Sequence, residues 1–96
     1  MNASAHFKFR LYVAGDGPNS AQAVANLNSI CLKHIPERHE IEVIDVLREP
    51  MRALADGVML TPLLVKLSPA PVQKITGTLS WRELVLHALG LPFQPR

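Results

Sequence analysis

The chain has 96 residues, 48% of them hydrophobic, and a formal net charge of +2. This length predicts one small domain, residues 1–96, and the hydrophobic fraction is too high for a disordered chain. The nearly balanced charge argues against the concentrated basic stripe of a nucleic-acid-binding protein. No apolar run approaches the roughly 20 residues that span a bilayer.

Cysteine usage and the N-terminal residues favour a cytoplasmic protein. Cys31 is the single cysteine, so an internal disulfide is impossible and a reducing compartment fits best. Residues 1–6 are small and polar and lack the apolar run of a signal peptide. We expect this segment to be disordered.

The first half of the chain predicts a β-α-β unit. Residues 7–13 alternate between apolar and polar side chains, as in a strand, and a loop rich in glycine and proline ends it. A helix capped by Asn19 or Ser20 follows, and Pro36 terminates it. Residues 41–47 are too apolar to alternate, which predicts a parallel strand covered on both faces. The apolar face of the helix comprises Val24, Leu27, Cys31 and Ile35.

The next segment predicts a short helix and a hairpin. The helix spans residues 49–56, and Gly57 ends it. Strands at 63–67 and 72–77 flank a turn that contains Pro69 and Pro71, so we expect them to pair as a hairpin.

A last helix is predicted after Ser80, whose side chain is expected to cap it. Gly90 and Pro92 would end this helix. Trp81 is interpreted as a core residue, although a half-exposed tryptophan would be a natural binding anchor. The apolar face comprises Trp81, Leu84, Val85, Ala88 and Leu89.

The predicted order β-α-β-α-β-β-α is that of the thioredoxin fold and places the chain in the α/β class. The residue that opens the third strand of such a fold is commonly a proline after a cis peptide bond, and Pro62 stands at that place. A trans proline that merely starts the strand is the alternative, and the sequence leaves both open.

The residues offer no catalytic constellation. A thiol redox enzyme would carry Cys-x-x-Cys between the first strand and the first helix, where this chain has no sulfur, and Cys31 is interpreted as a buried structural thiol. Asp45 is either a general base or, as is favoured, a carboxylate that points to a strand edge or accepts backbone hydrogen bonds. We therefore expect a protein without enzymatic activity, cofactor or metal. Surface positions are expected for His6, His34, His39 and His87.

Several stretches together resemble the KaiB family of circadian-clock proteins. They are LYVAG at 11–15, PNS at 18–20, VIDVL at 43–47, TP at 61–62, and the P-x-PV, I-x-G and L-S-x-R-E pieces between Pro69 and Glu83. They follow the family's order and spacing over most of the chain.

The resemblance implies a binding protein without catalysis. Family members dock on the KaiC ATPase ring, oppose KaiA and promote KaiC dephosphorylation, and some act on clock-related histidine kinases. The resemblance also implies metamorphism, in which a ground-state fold, often tetrameric, exchanges with a monomeric thioredoxin-like fold that binds KaiC. From about Leu60 onward the chain would refold in this exchange.

Two groups of candidate residues are carried over from the family in outline. The candidate partner-binding residues are Arg48, Met51, Arg52, Asp56, Lys66 and Lys74. The candidate fold-switch or cis-proline residues are Pro62, Pro69, Pro71, Ala88 and Gly90. After Gly57 the chain is mildly basic, with Lys66, Lys74, Arg82 and Arg96 against the single acid Glu83. This basic half is either a solvated face or a contact for an acidic partner surface.

The chain departs from the family where charges are usual. Gln22 replaces a basic residue, Gly57 a lysine, Gln73 the first arginine of a pair and Thr78 an aspartate. Because rim charges set association rate and partner choice, these losses favour a partner other than a standard KaiC.

Two further departures favour the thioredoxin-like state. Ala88 in place of a glycine adds about 1 kcal/mol of helix propensity, and Gly90 in place of an aspartate is a good C-cap. We expect the thioredoxin-like state, largely monomeric, with the KaiB ground-state fold and a tetramer as the alternative.

Three functions compete on this sequence. The first is a module that binds a KaiC-type ATPase. The second is a thioredoxin-like sensor or stress-response adaptor with a different protein partner. The third is a degenerate thiol or glutathione enzyme, which the missing Cys-x-x-Cys disfavours.

Overall fold

The computed structural model describes residues 5–91. Its order β-α-β-α-β-β-α confirms the predicted arrangement. The elements are β1 (Phe7–Val13), α1 (Pro18–His34), β2 (His39–Asp45), α2 (Pro50–Ala55), β3 (Leu63–Ser68), β4 (Gln73–Thr76) and α3 (Arg82–Leu89). Within the described residues, none of the helices combines the length and the hydropathy that a membrane span requires.

The disorder expected for residues 1–6 stays a prediction, although Ala5 and His6 have contacts in the structure. Ala5 packs against the main core, and the His6 Nε2 atom lies 2.8 Å from Glu40 Oε2. Residues 1–4, Pro92 and Arg96 lie outside the described residues, and so do the expectations that concern them.

Four strands form one sheet in the order β2-β1-β3-β4. β1 is parallel to β2 and antiparallel to β3, and β4 is antiparallel to β3. The predicted coverage of β2 on both faces is only partly confirmed, because Ile44 is buried on one face and Ile41 is partly buried on the other. β2 begins at His39 and pairs only with β1. As an edge strand it leaves Val43 47% exposed and buries only Ile44.

The two faces of β1 separate two cores. Phe9 and Leu11 point to the side of α1 and α3, where most of the buried apolar residues cluster. Tyr12 points to the opposite side, where Ile44, Ala53, Leu63 and Val65 pack around it. Because side chains alternate along a strand, this central strand holds helices on both faces of the sheet.

The N-terminus of α1 differs from the prediction. Gly17 is the N-cap, Pro18 is the first helical residue, and no side chain caps the helix. Pro18 already has the φ angle and the missing N–H that suit the first turn, so the helix begins before Asn19 and Ser20. The predicted buried face is confirmed at Leu27, Cys31 and Ile35, with Val24 partly buried.

α3 also begins differently from the prediction. Trp81, not Ser80, is the N-cap, and no side chain caps the helix; the Ser80 hydroxyl is hydrogen-bonded to Thr78 Oγ1 at 2.7 Å. Trp81 is 77% exposed and Leu84 is 65% exposed, so neither belongs to the core. Val85 and Leu89 are buried as predicted.

The end of α3 and the hairpin before it largely agree with the prediction. Gly90 ends α3 with a left-handed φ of 75°, a conformation that glycine adopts without strain. β3 and β4 pair as a hairpin, Leu63 opposite Thr76 and Lys66 opposite Gln73. The peptide bonds before Pro62, Pro69 and Pro71 are cis.

Replacement of Leu27 by alanine is expected to test the main core. Leu27 is fully buried, whereas Leu32 on the same helix is 66% exposed. Leu27→Ala should lower the free energy of unfolding by about 2–5 kcal/mol, and Leu32→Ala should change it by less than about 0.5 kcal/mol. Urea unfolding measures both values. Equal effects of the two substitutions would contradict this description of the core.

Candidate protein-docking surface

Exposed apolar side chains are concentrated on α2 and the loops beside it. A contiguous exposed apolar patch is a common feature of interaction sites, which makes this segment the candidate docking surface. Met59 is 91% exposed, and the others are between 66% and 73% exposed. We use the name α2 surface for the exposed side chains of residues 47–60. Its apolar members are Leu47, Met51, Leu54, Met59 and Leu60.

A buried tyrosine fixes α2 to the central strand. The Tyr12 hydroxyl donates to Asp56 Oδ2 at 2.5 Å and lies 3.3 Å from the carbonyl oxygen of Arg52. Arg10, also on β1, donates from Nη1 to the same Asp56 oxygen at 3.1 Å. Asp56 follows α2 directly as its C-cap. The end of α2 is therefore held to β1 by charge-assisted hydrogen bonds.

Two further contacts fix α2 to both edge strands. Arg52 forms a bidentate ion pair with Glu42 on β2, with distances of 2.7 and 2.8 Å, and a third contact to Glu49 at 3.3 Å. Lys74 on β4 donates from Nζ to the backbone oxygen of Asp56 at 2.9 Å. These contacts fix the short helix in one orientation.

The protonation of this cluster follows from the same contacts. Burial, reinforced by the hydrogen bond to Asp56, raises the pKa of Tyr12 to about 12. The hydrogen bond from Tyr12, helped by Arg10, lowers the pKa of Asp56 below its ordinary value. The hydrogen bond from Arg52 likewise lowers the pKa of Glu42. At neutral pH a neutral phenol thus donates to an ionised carboxylate.

The structure brings five of the six candidate partner-binding residues together, in two roles. Arg48 and Met51 are presented to solvent, at 86% exposure for the Arg48 side chain. Arg52, Asp56 and Lys74 make the internal contacts that hold α2. Partner binding by these residues remains a prediction, and the geometry makes the last three positioning residues.

The expectation that Lys66 contributes to the surface is wrong. Lys66 is only 4% exposed, because its side chain lies against Leu89 of α3 and Phe7 of β1. Its ammonium donates to the carbonyl oxygen of Leu89 at 3.4 Å and lies 5.9 Å from the centre of the Phe7 ring. Desolvation by burial lowers its pKa. Charge reversal at Lys66 would therefore act on the fold and not on a docking contact.

The candidate fold-switch residues lie outside the α2 surface. Pro62 is buried just before β3, and Pro69 and Pro71 lie in the β3–β4 turn. Ala88 and Gly90 lie at the C-terminal end of α3. Their role in a fold switch stays a prediction.

The groups considered for catalysis have structural contacts. Cys31 is buried, as predicted, and burial raises its pKa to about 12, which disfavours the reactive thiolate. Asp45 accepts hydrogen bonds from the backbone N–H groups of Gly15 and Leu47 at 3.2 and 2.9 Å, which confirms the favoured interpretation. Across residues 5–91, histidine, cysteine and carboxylate side chains form no group of three that could hold a metal.

The histidines are not all at the surface. His6 and His87 are exposed as predicted, whereas His34 and His39 are partly buried. A ring nitrogen of His39 lies 2.8 Å from the carbonyl oxygen of Ile35, and burial lowers the pKa of His34.

Sequence analysis missed the residues that anchor α2. Arg10 and Tyr12 were visible only as the polar-side residues of an alternating strand. Their partner Asp56 lies more than 40 positions away, and no local pattern connects them. The signal that the sequence offered for this anchor was the pattern of β1, which directs Arg10 and Tyr12 to the same side of the strand.

The family follows from the comparison of the whole chain with known proteins. The KaiB domain model matches residues 10–91. The chain belongs to the KaiB family. The circadian clock protein KaiB3 of Synechocystis sp. is 43% identical over 86 residues, which cover 90% of this chain and 82% of that protein. The circadian clock oscillator protein KaiB of Thermosynechococcus vestitus is 43% identical over 88 residues, which cover 92% of this chain and 82% of that protein.

Solved structures confirm the thioredoxin-like fold of this KaiB-family chain. The N-terminal domain of Synechococcus elongatus SasA superposes with a TM-score of 0.72 at 22% identity, over 90% of this chain and 85% of that one. Mitochondrial thioredoxin 3 from Saccharomyces cerevisiae superposes with a TM-score of 0.71 at 16% identity, over 91% of this chain and 80% of that one. At these identities the likeness concerns the fold alone.

Removal of the Tyr12 hydroxyl is expected to destabilise the protein in a pH-dependent way. Tyr12→Phe should lower the free energy of unfolding by about 1.5–3 kcal/mol at pH 7, because the acceptor is charged. The pKa of Asp56 is lowered on folding, so its stabilisation is present above the unfolded pKa of about 3.9 and is lost as the pH falls below it. The difference from wild type should shrink over that range.

Urea unfolding at a series of pH values measures this difference. In an Asp56→Asn background, the Tyr12→Phe substitution should cost less, because the charged acceptor is gone. A cost that is the same at pH 7 and pH 3, and the same in both backgrounds, would contradict the assigned hydrogen bond.

Proposed function

We propose that this chain is a circadian clock protein that works by binding, and that its α2 surface docks on a KaiC-type ATPase. The observation that carries the proposal is the rigid presentation of exposed apolar side chains by the contacts of Tyr12, Arg52 and Lys74 with α2 and its C-cap. Membership of the KaiB family supports it, because relatives at 43% identity are named circadian clock proteins.

The α2 surface has the anatomy of a protein interface. Met51 and Leu54 are three residues apart on one helix and both are 73% exposed, so they can enter the partner together. The neighbouring Arg48 guanidinium is mostly exposed. In this proposal the apolar side chains supply the central contacts, and Arg48 forms a charged rim that guides association.

The proposal includes the consequences of docking. The bound protein would oppose KaiA and promote KaiC dephosphorylation, and a clock-related histidine kinase is a further candidate partner. It would act in the cytoplasm as one domain without catalysis of its own. Within residues 5–91 the four strands form one sheet, and helices pack on both of its faces. This arrangement supports action as a single unit.

Substitutions on the α2 surface test the docking site. Met51→Lys should weaken binding to purified KaiC by at least about tenfold, the loss of roughly 1.4 kcal/mol, because an ammonium would be buried at the centre of the contact. Arg48→Glu should mainly slow association. Leu32→Lys on α1 is the matched control, since Leu32 is also a large exposed apolar residue but lies outside the α2 surface.

The measurement is a titration of KaiC with and without ATP, with each variant first shown to be folded. Binding that is unaffected by Met51→Lys, or reduced equally by Leu32→Lys, would contradict the assignment of the surface.

A second candidate function is a thioredoxin-like sensor or stress-response adaptor that binds another protein. The uncharged Gln22, Gln73 and Thr78 favour it, because the family usually has charges there. Failure of the folded wild-type protein to bind KaiC would support this alternative over the first.

We also propose that the free protein rests in the thioredoxin-like state and is largely monomeric. Ala88 lies within α3 and Gly90 caps it, and both stabilise the helix that a refolded chain would lose. Backbone amide chemical shifts should therefore show helix at residues 85–89 in the free protein, and sedimentation should give the monomer mass. Ala88→Gly should lower the helical population. Strand shifts at these residues would refute the proposal.

A further inference from the structure

A second apolar feature lies between β4 and α3. We call it the Trp81 groove; its volume is about 550 Å³. Trp81 and Leu84 stand exposed at its side. The groove belongs to the face of the sheet that packs against α1 and α3, whereas α2 covers the opposite face. It is lined chiefly by Ile75, Leu79, Trp81, Leu84, Val85 and Ala88.

The loop that carries Trp81 is fixed before any partner arrives. Leu79 is buried with a left-handed φ of 65°, a conformation that costs a branched residue energy and is often found at functional sites. Asn26 Nδ2 donates to the carbonyl oxygen of Thr78 at 2.8 Å, and Gln22 Nε2 donates to Ser80 Oγ at 3.3 Å. A contact surface held in this way loses little entropy on binding.

One wall of the groove is an open sheet edge. β4 is the last strand of the sheet and pairs only with β3, and Ile75, Thr76 and Gly77 line the groove. The outer backbone N–H and C=O groups of an edge strand are complemented by another extended backbone. A peptide segment therefore fits this wall better than a small molecule or a helix does.

The residues that line the groove determine which side chains of such a segment it can accept. No residue that lines the groove has a formal charge. Lys74, the charged residue of β4, donates to the Asp56 backbone oxygen on the other face of the sheet. The groove thus favours uncharged, apolar side chains, with Trp81 as the large anchor typical of interface hot spots.

A second copy that pairs through its own β4 does not supply those side chains. Of the residues in β4, only Ile75 is large and apolar, and it packs against its own core. Two copies joined edge to edge would leave both grooves without an inserted side chain. The occupant must therefore bring apolar residues of its own.

We propose that β4 and the Trp81 groove bind an extended apolar segment of a partner protein, which adds to the sheet as a fifth strand. Its alternate side chains enter the groove against Trp81 and Leu84. Since the α2 surface lies on the opposite face, this site is independent of the proposed function and can be occupied at the same time.

Selection from a displayed library of random linear decapeptides on the immobilised full chain tests the proposal. Enriched peptides should carry apolar residues at alternate positions. Trp81 is the single tryptophan of the chain, so a bound peptide should shift its fluorescence to shorter wavelength. Leu84→Lys should reduce affinity by at least about tenfold, or 1.4 kcal/mol, and Leu32→Lys on α1, outside both surfaces, should leave it unchanged. Both side chains are exposed, so neither substitution should prevent folding.

Backbone methylation of the best peptide distinguishes strand addition from other modes. Methylation of the amides that face β4 should abolish binding, and methylation of the alternate amides should have little effect. No enrichment, enrichment unaffected by Leu84→Lys, or equal loss from both methylation sets would overturn the proposal. Concentration-dependent dimerisation that Leu84→Lys abolishes would also overturn it, in favour of a second copy as the occupant.

Discussion

The hydrogen bond from Tyr12 to Asp56 determines how the α2 surface of this protein is built. Tyr12 is fully buried on the central strand, and Asp56 is the C-cap of α2, so a single contact joins the most protected part of the sheet to its shortest helix. A six-residue helix has little stability alone, and α2 therefore depends on such tertiary contacts. The exposed side chains beside it are ordered because this phenol is anchored in the core.

Most charged side chains near α2 form ion pairs or hydrogen bonds within the molecule. Arg52 pairs with Glu42 and Glu49, and Lys74 binds a backbone oxygen. Lys66 is buried beneath α3 and satisfies a carbonyl of that helix, as basic side chains near helix C-termini commonly do. The side chains that stay exposed on the α2 surface are mainly apolar, and Arg48 is an exposed cation among them. Affinity at such a surface depends on the fit of a few apolar anchors more than on charge.

The sheet separates two exposed apolar regions. β1 directs Tyr12 towards α2 and the residues on either side of it towards α1 and α3. The alternation of one central strand therefore creates two faces with different exposed features. One face presents Met51 and Leu54, and the other presents Trp81 and Leu84.

The sequence by itself determined the element order, the β1 alternation, the buried face of α1 and the left-handed cap at Gly90, since these follow from local periodicity and backbone preference. It also indicated where α2 lies. Only the tertiary structure decided that β2 is an edge strand, that Lys66 is buried and Trp81 exposed, and that Tyr12 meets Asp56. Those facts depend on which strands are neighbours and which helix covers which face, and such long-range pairings leave no local pattern in the chain.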